Sequence, residues 1–201
     1  MALTAAVLKP ALERWAARLK AVAPELNELD GALGDGDLGA TLAKCAANVE
    51  GILPDLPDDL SGAFRACALA CSKASGSSFG TLLAVAFQCA AKESANRSEL
   101  PWRELPALLE SIIRTLAARG GAQLGDKTVL DALEAARLSL ATLDDPKAQH
   151  LAACKAVSAA IEEFRNRPNR TGRARMFGER SIGLADPGMV ALWHMLESLR
   201  Q

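Results

Sequence analysis

The chain is 201 residues long and half of them are apolar, enough for a single domain, 1–201, with a substantial core. Its 23 Lys and Arg against 24 Asp and Glu give a net charge of −1, so no bulk field draws it to nucleic acid or to an anionic membrane. The opening "MALTAAVLKPALERW" lacks a basic-then-apolar leader and no apolar run reaches membrane-spanning length, which predicts a cytoplasmic protein with no membrane or nucleic-acid partner.

Tyr is absent and alternating β-branched runs are missing, so an all-α fold is expected. Leu8, Leu12, Trp15, Leu19 and Val22 recur at steps of four and three, the apolar stripe of a helix. Pro10 within it predicts a start near Lys9 or a kink. Further helices are expected at about 38–51, 59–73, 77–94, 102–119, 127–141, 147–166 and 187–200. Between them, "PDLPDD" ends in aspartates suited to an N-cap, "SELPW" offers Ser98 and a proline, and "LDDPKAQ" sets Asp145 before Pro146. Eight helices on short connections make antiparallel neighbours, hence an eight-helix antiparallel bundle or closed barrel. The five cysteines form no C-x-x-C pair and read as small buried hydrophobes; Cys67 and Cys71 share a helix face but lack two further zinc ligands.

Four joints are less ordinary: 29–39, 72–80, 120–128 and the long 166–188, which holds five arginines. If neighbouring helices alternate in direction, some of these joints share one end of the bundle. Gly34-Asp35-Gly36-Asp37-Leu38-Gly39 spells G-x-G-x-x-G, yet a charged helical segment precedes it where a dinucleotide fold needs a buried strand. Its aspartates would repel a bare pyrophosphate, and the spacing is not that of an EF-hand. Asp30, Asp35 and Asp37 lie within eight residues among Gly31, Gly34, Gly36 and Gly39. Carboxylates so crowded repel one another unless a cation relieves them, and the set suits Mg²⁺ held against a nucleotide's phosphates. The competing reading is a turn in which Asp37 caps the helix starting at Leu38. "SKASGSSFG" is either an anion-binding helix N-terminus or a flexible linker, and "GDKT" supplies Asp126 or Thr128 as a cap. Arg173, Arg175 and Arg180 are placed either to neutralise a transferred phosphoryl group or as a solvated run. His150 reads as a loop or surface residue and His194 as a helix-face residue, neither with a catalytic partner nearby in sequence.

Taken in order, "LNELDGALGDGDLG", "KASGSSFGTLL", "GDKTVLDAL" and "GRARMFGERSIGLADPG" resemble the nucleotide-binding L subunit (DhaL) of dihydroxyacetone kinases, from about residue 22 onward. The resemblance implies an eight-helix antiparallel barrel with a nucleotide and two Mg²⁺ in the loops at one end. It implies Asp30, Asp35 and Asp37 as magnesium ligands bridging to the phosphates, with Leu38, Gly39, Ala40 and Thr41 along the nucleotide, joined by Ala74 and Ser75. Gly120 and Val129 would border the adenine, Arg173 would reach the phosphates, and Asp186, Pro187 and Gly188 would close the site. Leu38, Thr41 and the Ser72-Lys73 pair depart from the family's usual His, Asn and Gly-Gly, and Lys73 would add a charge near the phosphates.

The implied activity is that of a phosphotransferase subunit. It would hold ADP or ATP with magnesium and pass a phosphoryl group to dihydroxyacetone or a related small ketose carried by a separate K subunit. The donor would be free ATP or an M-type phosphocarrier. No base or covalent carrier stands out, so the chain's part would be positioning and charge neutralisation by Asp30, Asp35, Asp37 and Arg173. Two other readings stand beside it: a nucleotide-free helical barrel that binds an apolar ligand or scaffolds a partner, and an L-like kinase domain for a fatty acid or a four-carbon sugar.

Overall fold

The computed structural model describes residues 2–74 and 78–200. Its first helix, α1, spans Ala5–Leu33, starting earlier and ending later than its apolar stripe suggests. Thr4 starts it, its side chain accepting from the Val7 N–H at 3.3 Å. Pro10 and Pro24 lie inside α1 but on its exposed face, where the carbonyls they leave unpaired are open to solvent; no separate helix start results. The extra turns carry Asp30 on the helix rather than in the joint that follows it.

Seven more α-helices follow among the described residues: α2 (Leu38–Ile52), α3 (Leu60–Ser72), α4 (Ser78–Glu93), α5 (Leu105–Gly120), α6 (Val129–Ser139), α7 (Pro146–Arg165) and α8 (Pro187–Glu197). Several begin where the sequence offers a cap. Asp59 accepts from Gly62 N–H at 2.7 Å, Asp145 from Ala148 N–H at 2.8 Å and Asp186 from Met189 N–H at 2.9 Å. Thr128 and Asp131 form a reciprocal capping box at α6. The start expected at Ser98 is displaced, because Trp102–Glu104 is a 3-10 turn and α5 begins only at Leu105. Strand structure is confined, among the described residues, to an antiparallel pairing of β1 (Ala2–Leu3) with β2 (Leu100–Pro101).

Each helix packs on the next and α8 returns to α1, which closes the ring. Leu19, Leu26, Leu42, Val49, Leu60, Val157 and Met189 fill the core. Each such burial contributes about 1.5–3 kcal/mol relative to exposure. Ala16, Ala46, Ala63, Ala132 and Ala191 are also fully buried and let the helices approach closely. The five cysteines are free and buried, as expected.

Both histidines act in ring closure. His150 is on α7, not in a loop, and its Nε2 is 2.9 Å from the Leu196 carbonyl of α8. His194 is buried on α8. Arg18 Nη2 of α1 donates to its Nδ1 at 3.0 Å, which leaves Nε2 to donate to Glu25 Oε1 at 3.2 Å. No helix among the described residues is long and apolar enough to cross a membrane.

Candidate functional site

With neighbouring helices alternating in direction, the joints after α1, α3, α5 and α7 fall at one end, and these are the four that are irregular in sequence. A cleft of about 690 Å³ opens there, lined from the end of α1 and the starts of α2, α4, α6 and α8, the end of α5, and the 171–176 stretch of the long loop.

One side is acidic. Asp30, in the last turn of α1, turns Oδ2 to the start of α2 and accepts from Asp37 N–H at 2.9 Å and Leu38 N–H at 3.3 Å. This cross-loop cap depends on glycine: Gly36 has φ of +74°, and a Cβ on Gly34 would lie 2.9 Å from Asp30 Oδ1. Asp30 therefore does what the capping reading assigned to Asp37. Asp37 occupies the N-cap position, yet its side chain makes no capping bond and projects to the cleft. One carboxylate oxygen from each of Asp30, Asp35 and Asp37 lies within 4.8 Å of the others. Arg173 Nη1, from the far loop, pairs with Asp35 Oδ2. The donor set is oxygen alone, with no imidazole or thiolate, which suits a hard divalent ion such as Mg²⁺.

The other side is apolar, formed by Leu33, Phe79, Leu82, Leu116, Val129 and Leu130. Its apolar character suits contact with a flat ring. Phe79, Leu82, Leu116 and Leu130 escaped the sequence reading because, in one dimension, they are ordinary members of helix stripes.

Of the residues singled out from the sequence, Asp30, Asp35, Asp37, Leu38, Gly120, Val129, Arg173, Asp186, Pro187 and Gly188 line this cleft together. Arg175 does so too, whereas Arg180 sits over the Phe177 ring. Gly39, Ala40 and Thr41 do not line it. Gly39 is buried against α1, and the Ala40 N–H is taken by Asn27 Oδ1 at 3.0 Å. Thr41 lies beneath α4, its Cγ2 facing Gly80. Ala74 is buried beside a separate groove between α3 and α4, and Ser75 lies outside the described residues. Lys73 is exposed at the end of α3 and does not line the cleft.

Asp186 caps α8 and also accepts from Asn169 Nδ2 at 2.8 Å. Burial pushes its pKa up to about 6, against the pull of those bonds and of Lys127. Ionisation is thus harder in the folded chain than in the unfolded one, where the ordinary value is 3.8. The favourable contribution of protonated Asp186 is complete below pH ~4 and is lost as pH rises through ~6, at most about 3 kcal/mol. Asp186→Asn keeps the capping oxygen and removes this slope. The gap in urea midpoint between the variant and wild type is expected to shift toward the variant from pH 4.5 to pH 7.

Comparison with known proteins gives the same pattern of likeness. The DAK2 domain family matches residues 32–201. The ADP-binding subunit DhaL of the PTS-dependent dihydroxyacetone kinase of Lactococcus lactis is 32% identical over 178 residues, covering 87% of this chain and 85% of that one. Triokinase/FMN cyclase of Rattus norvegicus is 32% identical over 188 residues, 90% of this chain, but the chain spans only 32% of that protein's length. Among solved structures, the dihydroxyacetone kinase of C. freundii in complex with AMP-PNP and Mg²⁺ superposes with a TM-score of 0.76 at 26% identity, covering 99% of this chain and 34% of that one. The match across most of the chain, together with the acidic joint and the helical ring it closes, places this protein in the DAK2 domain family.

Proposed function

We propose that the chain is an ADP- or ATP-binding phosphotransferase subunit of the dihydroxyacetone kinase type. The observation that carries this reading is the meeting, in one cleft, of three carboxylates, an arginine from the opposite loop and an apolar wall. The carboxylates fit magnesium by donor type; bound there, magnesium supplies charge neutralisation at the phosphates. Asp30, Asp35 and Asp37 hold two ions in this reading. Asp30 does so while capping α2, so the acidic face is built into the fold. Phe79, Leu116 and Val129 accept the base, Gly120 borders it, and Asp186, Pro187 and Gly188 close the end of the cleft.

Arg173, which pairs with Asp35 across the cleft, is the group that would reach the phosphates. Leu38 places an apolar side chain beside the acidic face where the family usually has histidine. Thr41 and Lys73, the other departures, stand outside the lining. The chain's contribution is orientation and electrostatics rather than covalent chemistry. A small ketose such as dihydroxyacetone, held on a separate K subunit, is the acceptor, and free ATP or an M-type phosphocarrier is the donor.

Calorimetric titration with ADP tests this. Binding is expected only when Mg²⁺ is present. Absence of binding in every condition would favour the nucleotide-free scaffold, and pull-down of a K-like subunit addresses the partner.

A further inference from the structure

Lys127 was read from the sequence as part of a capping motif, and the nucleotide reading gives it no task. Among the described residues it is the largest side chain with no exposed surface, and its backbone takes φ of +62°, a conformation that an L-residue rarely adopts. Its Nζ donates to the carbonyls of Arg167 and Ser181, both at 2.9 Å, one on each side of Arg173 in the chain. Its own carbonyl accepts from Asn169 Nδ2 at 2.9 Å. Asn169 Nδ2 reaches Asp186 Oδ2 as well, and the Asn169 N–H donates to Ser181 Oγ at 2.9 Å. Next to Lys127, Asp126 accepts from Thr171 Oγ1 at 2.7 Å through its side chain and from Arg170 N–H at 3.0 Å through its carbonyl.

The loop these bonds hold has almost no apolar anchor. Between residues 166 and 186 the buried positions are Asn169, Ser181 and Ala185. Arg165 adds bonds to Gly183, but these secure only the base of the loop. With so few buried apolar side chains in the loop, these polar bonds carry much of what sets where Arg173 stands.

We propose that Lys127 is a positioning residue: its buried ammonium, bonded on both sides of Arg173, holds loop 166–186 so that Arg173 faces Asp35 across the cleft. A charged donor suits the task because its bonds to two carbonyls are stronger than neutral ones. Removing it takes the donor from the Arg167 carbonyl and leaves the buried Ser181 carbonyl with only the longer bond from Leu184 N–H at 3.3 Å. Burial draws the Lys127 pKa down while Asp186 pushes it up, so Asp186 is its counter-charge.

The affinity readout rests on the proposed nucleotide reading. The test is a double-mutant cycle on the full chain, with Lys127→Met, Arg173→Ala and both together, each titrated with Mg²⁺-ADP. Each single variant is expected to weaken binding about 10-fold. The double variant should bind no worse than Arg173→Ala alone, because a misplaced arginine and an absent one are equivalent. Losses that multiply, or an unchanged affinity in Lys127→Met, overturn the proposal while leaving the nucleotide site intact. A wild-type chain that does not bind Mg²⁺-ADP removes both.

Amide hydrogen exchange gives a readout independent of nucleotide. Lys127→Met should speed exchange across 169–181 and leave 34–41 unchanged; equal protection of the loop in the variant and wild type also overturns the proposal. Should Lys127→Met not fold, Ser181→Ala loosens the same loop without stranding a charge partner. It is expected to show a smaller loss of the same kind, dependent on Arg173, and an Arg173-independent loss counts against the proposal.

Discussion

Asp37→Asn is expected to weaken Mg²⁺-dependent ADP binding at least ~100-fold, about 2.7 kcal/mol, while leaving the free protein as stable as wild type or slightly more so. The two halves of this result have different causes. The Asp37 carboxylate forms no capping bond, so folding does not depend on it. It stands within 4.8 Å of two like charges, a distance at which each pair costs about 1 kcal/mol in water and more where the cleft walls exclude solvent. Removing one charge relieves that repulsion, and at the same time takes away an anionic oxygen donor that magnesium requires and a neutral amide replaces poorly.

The companion variant Asp30→Asn lacks this clean separation, since Asp30 Oδ2 also serves two N–H groups of α2. Calorimetry with and without Mg²⁺, set beside thermal melts of the ligand-free proteins, measures both halves. Mg²⁺-dependent binding in Asp37→Asn equal to wild type would sink the assignment of the acidic trio.

Gly39→Ala is expected to destabilise the fold by ~3 kcal/mol or more, a large part of the ~5–15 kcal/mol typical of a domain. A Cβ on Gly39 would lie 1.9 Å from the Ala23 carbonyl oxygen and 2.7 Å from its carbon. Those are backbone atoms of α1, and no rotamer change clears them. Relief requires α2 to move off α1, which would also break the Asn27 bond to Ala40 and draw the α2 start away from Asp30. Nucleotide affinity should therefore fall with stability, although Gly39 does not line the cleft.

Gly51→Ala is the control on the same helix. Nothing lies within 4 Å of its added Cβ, and the better helix propensity of alanine should raise stability by up to ~1 kcal/mol. Urea denaturation followed by circular dichroism compares the two. A Gly39→Ala midpoint within error of wild type would show that α1 and α2 are not locked at this contact.

The sequence by itself determined what short windows encode. Helical periodicity marked Leu8 to Val22, and the caps at Asp59, Thr128 and Asp145 could be read from the residue types at each helix start. The acidic joint was legible because Asp30, Asp35 and Asp37 are close in the chain before they are close in space. Where local signals competed, the reading lost precision: Pro10 argued against a long first helix, and exposure of that face overrode it.

Tertiary structure alone decided the rest. Whether Asp30 or Asp37 caps α2 depends on how far α1 runs before the chain turns, which its packing in the ring sets. The meeting of Arg173 with Asp35 and of Lys127 with Ser181 joins residues far apart in sequence, and the burial of His194 between Arg18 and Glu25 follows only when α8 closes on α1. Such contacts leave no periodic or local mark, because a buried lysine and an exposed one have the same letter. Their partners are fixed by closure of the ring, which brings the ends of alternate helices together.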